Sequence, residues 1–289
     1  MSRMERKGLS RREFFKAASV GAGAGLAALG RLKASGLAGP KTIPVGVQLY
    51  SVRELAAKDL PKILQEIGKM GYQGVEFAGY YGWDKDPKAL RKLLDDNGLK
   101  CCGTHTALET ITGEALKATA DLHRVLGNRF LIVPSLTAKD AAGWVDLAKT
   151  FNETVEKAKG LGMRIGYHAH AHDFQKFDGV PAWDIFFGNT RQDVIMQLDT
   201  GNCLAGNGDP VAILKKYPGR STTVHLKEHG GPANAVIGQG VVPWAAVFDA
   251  CESAGGTEWY IVEHETGPDP LGNIRGCLEG LRKMGRGPA

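Results

Sequence analysis

The chain has 289 residues, 43% hydrophobic and 23% charged, which is enough for one large domain or two small ones. This composition excludes extensive disorder, and no apolar run reaches the length of a membrane-spanning helix. The net charge of +5 is uneven. Residues 1–40 carry eight of the 36 basic and two of the 31 acidic residues, which leaves −1 on residues 41–289. A near-neutral body argues against a nucleic-acid-binding protein, because phosphate contacts need a clustered basic face.

The first forty residues are typical of an export signal. Ser10–Lys16 reads SRREFFK and resembles the twin-arginine signal S-R-R-x-F-L-K, from which only Phe15 departs. The apolar stretch that follows is too short and too weakly apolar to span a bilayer stably. The twin-arginine machinery exports folded proteins, often with a cofactor already bound. We therefore predict a periplasmic or other extracytoplasmic protein, with a signal peptide and linker at 1–40 and a single catalytic domain at 41–289.

From residue 44 onward, apolar strands alternate with amphipathic helices that end at glycine. Eight strands are predicted, at about residues 44–50, 73–78, 99–105, 129–134, 164–170, 194–199, 222–227 and 259–263. Eight strand–helix units in roughly 245 residues match the size of an α/β (β/α)8 TIM barrel. A doubly wound open sheet is the alternative. The first strand, however, lacks the glycine-rich phosphate loop that usually follows it in such folds.

Polar residues cluster where the predicted strands end, which is the catalytic face of a TIM barrel. Asp199, His225 and Glu263 follow the apolar runs of the sixth, seventh and eighth strands. Each has an ordinary structural explanation: Asp199 could cap a helix, His225 could be a core histidine, and Glu263 could pair with Lys227. Their coincidence at matching strand ends favours a metal site instead. Such donors suit one divalent ion such as Mn²⁺, Zn²⁺, Co²⁺ or Mg²⁺.

The fifth strand carries three histidines at every second position, His168, His170 and His172, followed by Asp173. Successive side chains of an extended strand alternate between its faces. The three rings are therefore predicted to point the same way, at the same end of the barrel as the candidate metal site.

Further polar and aromatic residues are candidates for substrate recognition. Five are predicted to contact substrate at or near the strand ends: Gln48, Glu76, His105, His168 and Asn202. Three tryptophans in loops or helix starts could stack on a sugar ring or serve ordinary packing: Trp83, Trp183 and Trp244.

Residues 45–284 resemble the xylose isomerase-like TIM barrel superfamily, in its sugar phosphate isomerase/epimerase group. The matching stretches are GVQLYS (46–51), GVEF (74–77), YHAH (167–170), LDTGN (198–202), VHLK (224–227), IGQG (237–240) with Pro243 and Trp244, and Val262 with Glu263. This chain departs from the pattern at Ala169, where relatives have Asn, and at Asp173, where they have Glu.

The resemblance implies one divalent metal ion held by four side chains from strands five to eight. Mn²⁺ is expected first, with Zn²⁺, Co²⁺, Mg²⁺ and Fe²⁺ as alternatives. Asp199, His225 and Glu263 match three of the ligands. The fourth is Asp173, His168 or His170, and Asp173 is favoured because it keeps three carboxylates and one imidazole.

The chemistry that the resemblance implies is proton transfer beside a carbonyl. Glu263 and Asp173 would transfer the protons, while His170 and Lys227 would polarise oxygens. We expect an exported metal-dependent isomerase or epimerase of a keto-sugar, polyol or 3-keto-glycoside. A lyase or dehydratase with the same chemistry, and a non-catalytic exported sugar-binding or accessory protein, are the alternatives. The expected partners are the small-molecule substrate, the twin-arginine machinery and, by the resemblance, a second copy in a homodimer.

Overall fold

The computed structural model describes residues 43–288, and the predicted export signal lies outside them. The eight predicted strands and the TIM barrel are confirmed. The barrel strands are β1 (Val45–Gln48), β2 (Gly74–Phe77), β3 (Lys100–His105), β4 (Phe130–Val133), β5 (Arg164–His168), β6 (Ile195–Gln197), β7 (Thr223–Leu226) and β8 (Trp259–Val262). A small antiparallel hairpin, residues 176–177 with 180–181, follows β5.

Helices surround the barrel and connect its strands. They are α1 (Arg53–Met70), α2 (Pro87–Asp96), α3 (Ala115–Leu126), α4 (Ala141–Gly160), α5 (Ala182–Asn189), α6 (Thr200–Ala205), α7 (Pro210–Lys216), α8 (Trp244–Ala250) and α9 (Pro270–Lys283). Five of them begin after an aspartate whose side chain accepts a backbone N–H of the first turn: Asp86, Asp140, Asp199, Asp209 and Asp269. Among residues 43–288, none of the helices combines the length and apolar character needed to cross a membrane.

All eight strands are parallel, in the order β6-β5-β4-β3-β2-β1-β8-β7. The barrel closes where β6 approaches β7, and there the pairing is reduced to a bridge between Asp199 and His225. The His225 N–H donates to Leu198 O at 2.8 Å across this seam. Closure of the barrel therefore places two of the predicted metal ligands side by side.

The interior of the barrel differs between its two ends. At the end where the strands begin, three buried side chains, Phe130, Ile132 and Ile195, pack together with the partly buried Trp259. We call these four the lower interior. Gly74 makes room for Trp259, because a Cβ there would lie 2.9 Å from the indole. At the other end, where the strands finish, inward-facing side chains are polar or charged.

Candidate metal centre

Four buried side chains form the centre of the polar end: His168 at the end of β5, Asp199 just after β6, His225 in β7 and Glu263 just after β8. Each offers one nitrogen or oxygen, and these four atoms lie within 4.8 Å of one another. We call these residues the ligand group. Two carboxylates and two imidazoles suit Mn²⁺, Fe²⁺, Co²⁺ or Zn²⁺, and the carboxylate charges balance one divalent ion.

Asp199 uses its two oxygens for different purposes. Oδ1 accepts the Asn202 N–H at 2.7 Å and so caps α6. Oδ2 is buried and finds no hydrogen-bond donor among the described residues. Burial raises the pKa of this carboxyl to about 6. A buried carboxylate oxygen without a donor is costly, and a cation at the centre of the ligand group would satisfy it.

His225 lies between two carboxylates. Its Nδ1 is 2.7 Å from Glu263 Oε2, and its Nε2 is 2.6 Å from Glu76 Oε2. Burial acts to lower the pKa of His225, but these two carboxylates raise it to about 10. The Nδ1 side of the ring faces the ligand group, since Asp199 Oδ2 also lies there, 3.9 Å from Nδ1.

Lys227 brings a cation to the edge of the ligand group. Its Nζ lies 3.3 Å from Glu263 Oε1, 2.9 Å from Glu265 Oε1 and 3.2 Å from Asn202 Oδ1. Burial acts to lower the pKa of Lys227, but the carboxylates of Asp199, Glu263 and Glu265 raise it above its ordinary value. Three acceptors around one ammonium keep Lys227 protonated.

Beneath the ligand group lies a polar layer of four residues: Gln48, Glu76, His105 and Gln197. Glu76 accepts from Gln48 Nε2 at 2.8 Å and from Gln197 Nε2 at 2.9 Å, while Gln197 Oε1 lies 2.8 Å from His105 Nε2. Burial acts to raise the pKa of Glu76, but His105 and His225 hold it below its ordinary value. Gln48 and Glu76 are completely buried, so neither is placed to contact substrate as the sequence predicted.

The fifth strand departs from its prediction. It ends at His168 rather than at residue 170, and residues 171–174 form a short 3₁₀ helix. The His170 ring stays beside His168, with ring centroids 4.9 Å apart. His172 instead places Nε2 2.9 Å from Leu136 O. The prediction that all three rings share one direction is therefore wrong for His172, because the chain coils after His168.

Asp173 lies outside the ligand group. Its buried carboxylate accepts the Tyr167 hydroxyl at 2.6 Å and the His170 N–H at 2.7 Å. Burial raises the pKa of Asp173 to about 6. The 3₁₀ helix turns this side chain back toward its own loop, where it stabilises the turn. His168, one of the alternatives considered for the fourth position, stands in the ligand group instead.

Two of the three tryptophans serve packing. Trp183 is completely buried against Tyr167 and Phe187. Trp244 is also buried, and its Nε1 donates to Glu228 at 2.9 Å. Trp83 is only partly buried and packs against the core.

Sequence reasoning missed two residues of the site, Gln197 and Glu265. A signal existed for both, because each lies two positions from a predicted ligand, Gln197 before Asp199 and Glu265 after Glu263. Because Asp199 was predicted to face inward, strand parity would also have put Gln197, two positions earlier, on the inward face.

Eight parallel strands with a polar group at their carboxyl ends define an α/β-barrel enzyme fold. Residues 64–284 match the model of the xylose isomerase-like TIM barrel family, and the chain belongs to that family.

Curated relatives include an inosose dehydratase of Lacticaseibacillus casei, 26% identical over 274 residues that cover 78% of this chain and 89% of that protein. A 3-dehydroshikimate dehydratase of Pseudomonas aeruginosa is 30% identical over 166 residues, covering 53% of this chain and 26% of that protein. Among solved structures, a sugar phosphate isomerase/epimerase of Parabacteroides distasonis matches with a TM-score of 0.73 and 25% identity, over 83% of this chain and 98% of that one. The relatives named here are thus two dehydratases and a sugar phosphate isomerase/epimerase.

Proposed function

We propose that this protein is a metal-dependent dehydratase of a keto-polyol, the class of compound to which an inosose belongs. The observation that carries the proposal is the buried ligand group with the Lys227 ammonium at its edge. The similarity to inosose dehydratases along most of the chain supports the choice of reaction.

The ligand group would hold one divalent ion through His168, Asp199, His225 and Glu263. When bound, the ion would polarise the substrate carbonyl and so acidify the neighbouring C–H. Asp199 Oδ2 supports this role, because it is a buried acceptor for which residues 43–288 supply no donor. Glu263 has a second role in the proposal, since its Oε1 holds Lys227 Nζ in place.

Two groups of different chemistry are available for the proton transfers. His170 lies next to His168, and its Nδ1 is buried with no partner in the described part of the chain. We assign to His170 the removal of the proton beside the carbonyl. Lys227 then donates a proton to the hydroxyl that leaves the next carbon. One C–H and one C–O bond break, a C=C bond forms, and one water is released.

The proposal is tested by incubating the metal-loaded protein in D₂O with an inosose and, separately, with 3-dehydroshikimate. We expect mass spectrometry to show loss of one water from a keto-polyol, and Lys227→Met to suppress that loss while the metal content stays unchanged. Absence of water loss across a panel of inososes and related keto-polyols would refute the dehydratase assignment.

A metal-dependent isomerase or epimerase of a keto-sugar is the second candidate, supported by the match to the Parabacteroides distasonis enzyme. The same experiment separates the two functions. An epimerase or isomerase would introduce deuterium at carbon without losing water, whereas a dehydratase would produce an enone. Binding of the sugar with neither change would favour a non-catalytic binding protein.

We also propose that the enzyme is exported, on the basis of the SRREFFK stretch at 10–16. The test is fractionation of bacterial cells that produce the full chain, beside a variant with Arg11→Lys and Arg12→Lys. We expect the first in the extracytoplasmic fraction and the second in the cytoplasm. Equal distribution of the two would refute the proposal.

A further inference from the structure

Glu76 lies beneath His225 and is too deeply buried to contact substrate. Resting on the proposed metal-dependent function, we propose that Glu76 is a positioning residue that fixes the tautomer of His225. In that tautomer, Nε2 carries the proton and the lone pair of Nδ1 points into the ligand group.

The two nitrogens of His225 face different parts of the site. Nδ1 is directed at Glu263 Oε2 and Asp199 Oδ2, at 2.7 and 3.9 Å, whereas Nε2 lies 2.6 Å from Glu76 Oε2. A carboxylate can only accept a hydrogen bond. Nε2 therefore carries its hydrogen toward Glu76. Nδ1 also faces a carboxylate, but Glu263 belongs to the ligand group, so an ion bound there would replace the hydrogen between Nδ1 and Glu263, while Glu76 keeps the hydrogen on Nε2. Carboxylate–histidine–metal arrangements of this kind fix ring orientation and raise ligand basicity.

Glu76 is itself held on several sides. Besides His225, it accepts from Gln48 Nε2 at 2.8 Å and Gln197 Nε2 at 2.9 Å, and His105 Nε2 lies 3.2 Å from it. These four neighbours of the carboxylate come from four different strands, β1, β6, β7 and β3. Because the carboxylate is completely buried and surrounded by donors, it is not available to substrate. The carboxylate instead holds the His225 ring through its contact with Nε2.

The backbone also makes room for this carboxylate. The pairing of β2 with β3 shifts register between Val75 and Glu76, and Gly103 then lies opposite Glu76. A Cβ on Gly103 would overlap with Glu76 Oε1. The strand irregularity and the glycine together open the space in which the Glu76 side chain reaches His225. Gly103→Ala therefore offers a way to displace the carboxylate without changing any charge.

The experiment measures Zn²⁺ affinity by chelator competition for the wild-type chain and for Glu76→Gln. An amide can present an N–H to His225 Nε2, which favours the tautomer that binds no metal through Nδ1. We expect the dissociation constant to rise about 10- to 100-fold, the usual range for loss of such a partner. Gly103→Ala should change it in the same direction. The matched control is Glu258→Gln at the opposite end of the barrel, where Glu258 pairs with Arg164, and it should bind Zn²⁺ as the wild type does.

A second measurement needs no variant. Nitrogen-15 NMR of the Zn²⁺-loaded, histidine-labelled wild-type protein should show His225 protonated at Nε2, a signature that a merely structural glutamate would not require. Protonation at Nδ1, or unchanged Zn²⁺ affinity in both Glu76→Gln and Gly103→Ala, would overturn the inference. These outcomes leave the dehydratase assay untouched. Conversely, a protein that binds Zn²⁺ through Nδ1 of His225 but dehydrates nothing would refute the proposed function alone.

Discussion

The two ends of the barrel interior are built on the same eight strands but from opposite chemistry. The lower interior, Phe130, Ile132, Ile195 and Trp259, is packed with apolar side chains. A few residues further along the same strands, the ligand group and the polar layer contain buried carboxylates and imidazoles. Apolar burial contributes favourably, whereas each buried charge is costly unless it is compensated. The contrast shows that apolar packing at one end of the barrel accompanies a cluster of buried charged side chains at the other.

The largest effect is expected from Asp199→Asn. The amide oxygen can still cap α6, but the charge that the metal requires is lost. We expect activity to fall by roughly 10⁴-fold or more, because several kcal/mol of charge stabilisation depend on the ion. Metal analysis should show loss of the ion, while circular dichroism shows a folded barrel.

Asp140→Asn is the matched control, because Asp140 caps α4 by the same kind of bond, to the Gly143 N–H at 2.8 Å. It should keep both metal and activity. Full metal occupancy in Asp199→Asn would contradict the assignment of Asp199 to the ligand group.

Lys227→Met should separate metal binding from proton transfer. It removes the ammonium that Glu263, Glu265 and Asn202 hold at the edge of the site. We expect the turnover rate to fall about 10²- to 10⁴-fold, as when a general acid is lost, with the metal content unchanged. A parallel loss of the ion would instead make Lys227 a structural partner of Glu263.

Ile132→Ala tests the other end of the barrel. Removing a buried isoleucine side chain should lower the free energy of unfolding by about 2–5 kcal/mol. Metal affinity should stay as in the wild type, because the lower interior makes no part of the ligand group. Denaturant unfolding and chelator competition measure the two quantities, and a matching loss of affinity would show that the two ends are coupled.

The last comparison concerns His123, a buried histidine with neutral partners instead of carboxylates. Its ring lies 2.6 Å from the Tyr80 hydroxyl and 2.9 Å from Asn128 Nδ2. Burial lowers its pKa from 6.5 to about 4. The folded state therefore binds fewer protons than the unfolded chain between these values. The contribution of His123 to the free energy of unfolding is therefore fully present above roughly pH 6.5. It declines as the pH falls toward 4, by roughly 3 kcal/mol in total.

The measurement is the free energy of unfolding as a function of pH, for the wild type and for His123→Gln. The variant should lack this part of the slope, because glutamine does not titrate. Identical slopes in both proteins would show that His123 does not contribute to the acid sensitivity.

Much of the barrel was predictable because it depends on local periodicity. Apolar strands that alternate with glycine-terminated helices placed all eight strands close to their observed bounds. Parity and the end of each apolar run then singled out Asp199, His225 and Glu263, which the structure brings together. Since parallel strands finish at one face of a barrel, local patterns were sufficient to place these side chains near one another.

The fourth member of the ligand group was not predictable in this way. Whether Asp173 or His168 faces the centre depends on where β5 ends. That end is stabilised by the bond from Tyr167 to Asp173 and by the 3₁₀ turn that follows. The spacing of the histidines is the same in an extended strand and in a strand that coils after His168, so the sequence pattern did not distinguish them.

By itself, the sequence determined the strand count, the barrel and three residues of the ligand group, because these depend on periodicity along the chain. Only the tertiary structure decided what Glu76 contacts. Its bonds reach Gln197 and His225, which lie 121 and 149 positions away in the chain. Closure of the barrel brings these strands together across the interior, and no local pattern records which side chains then meet.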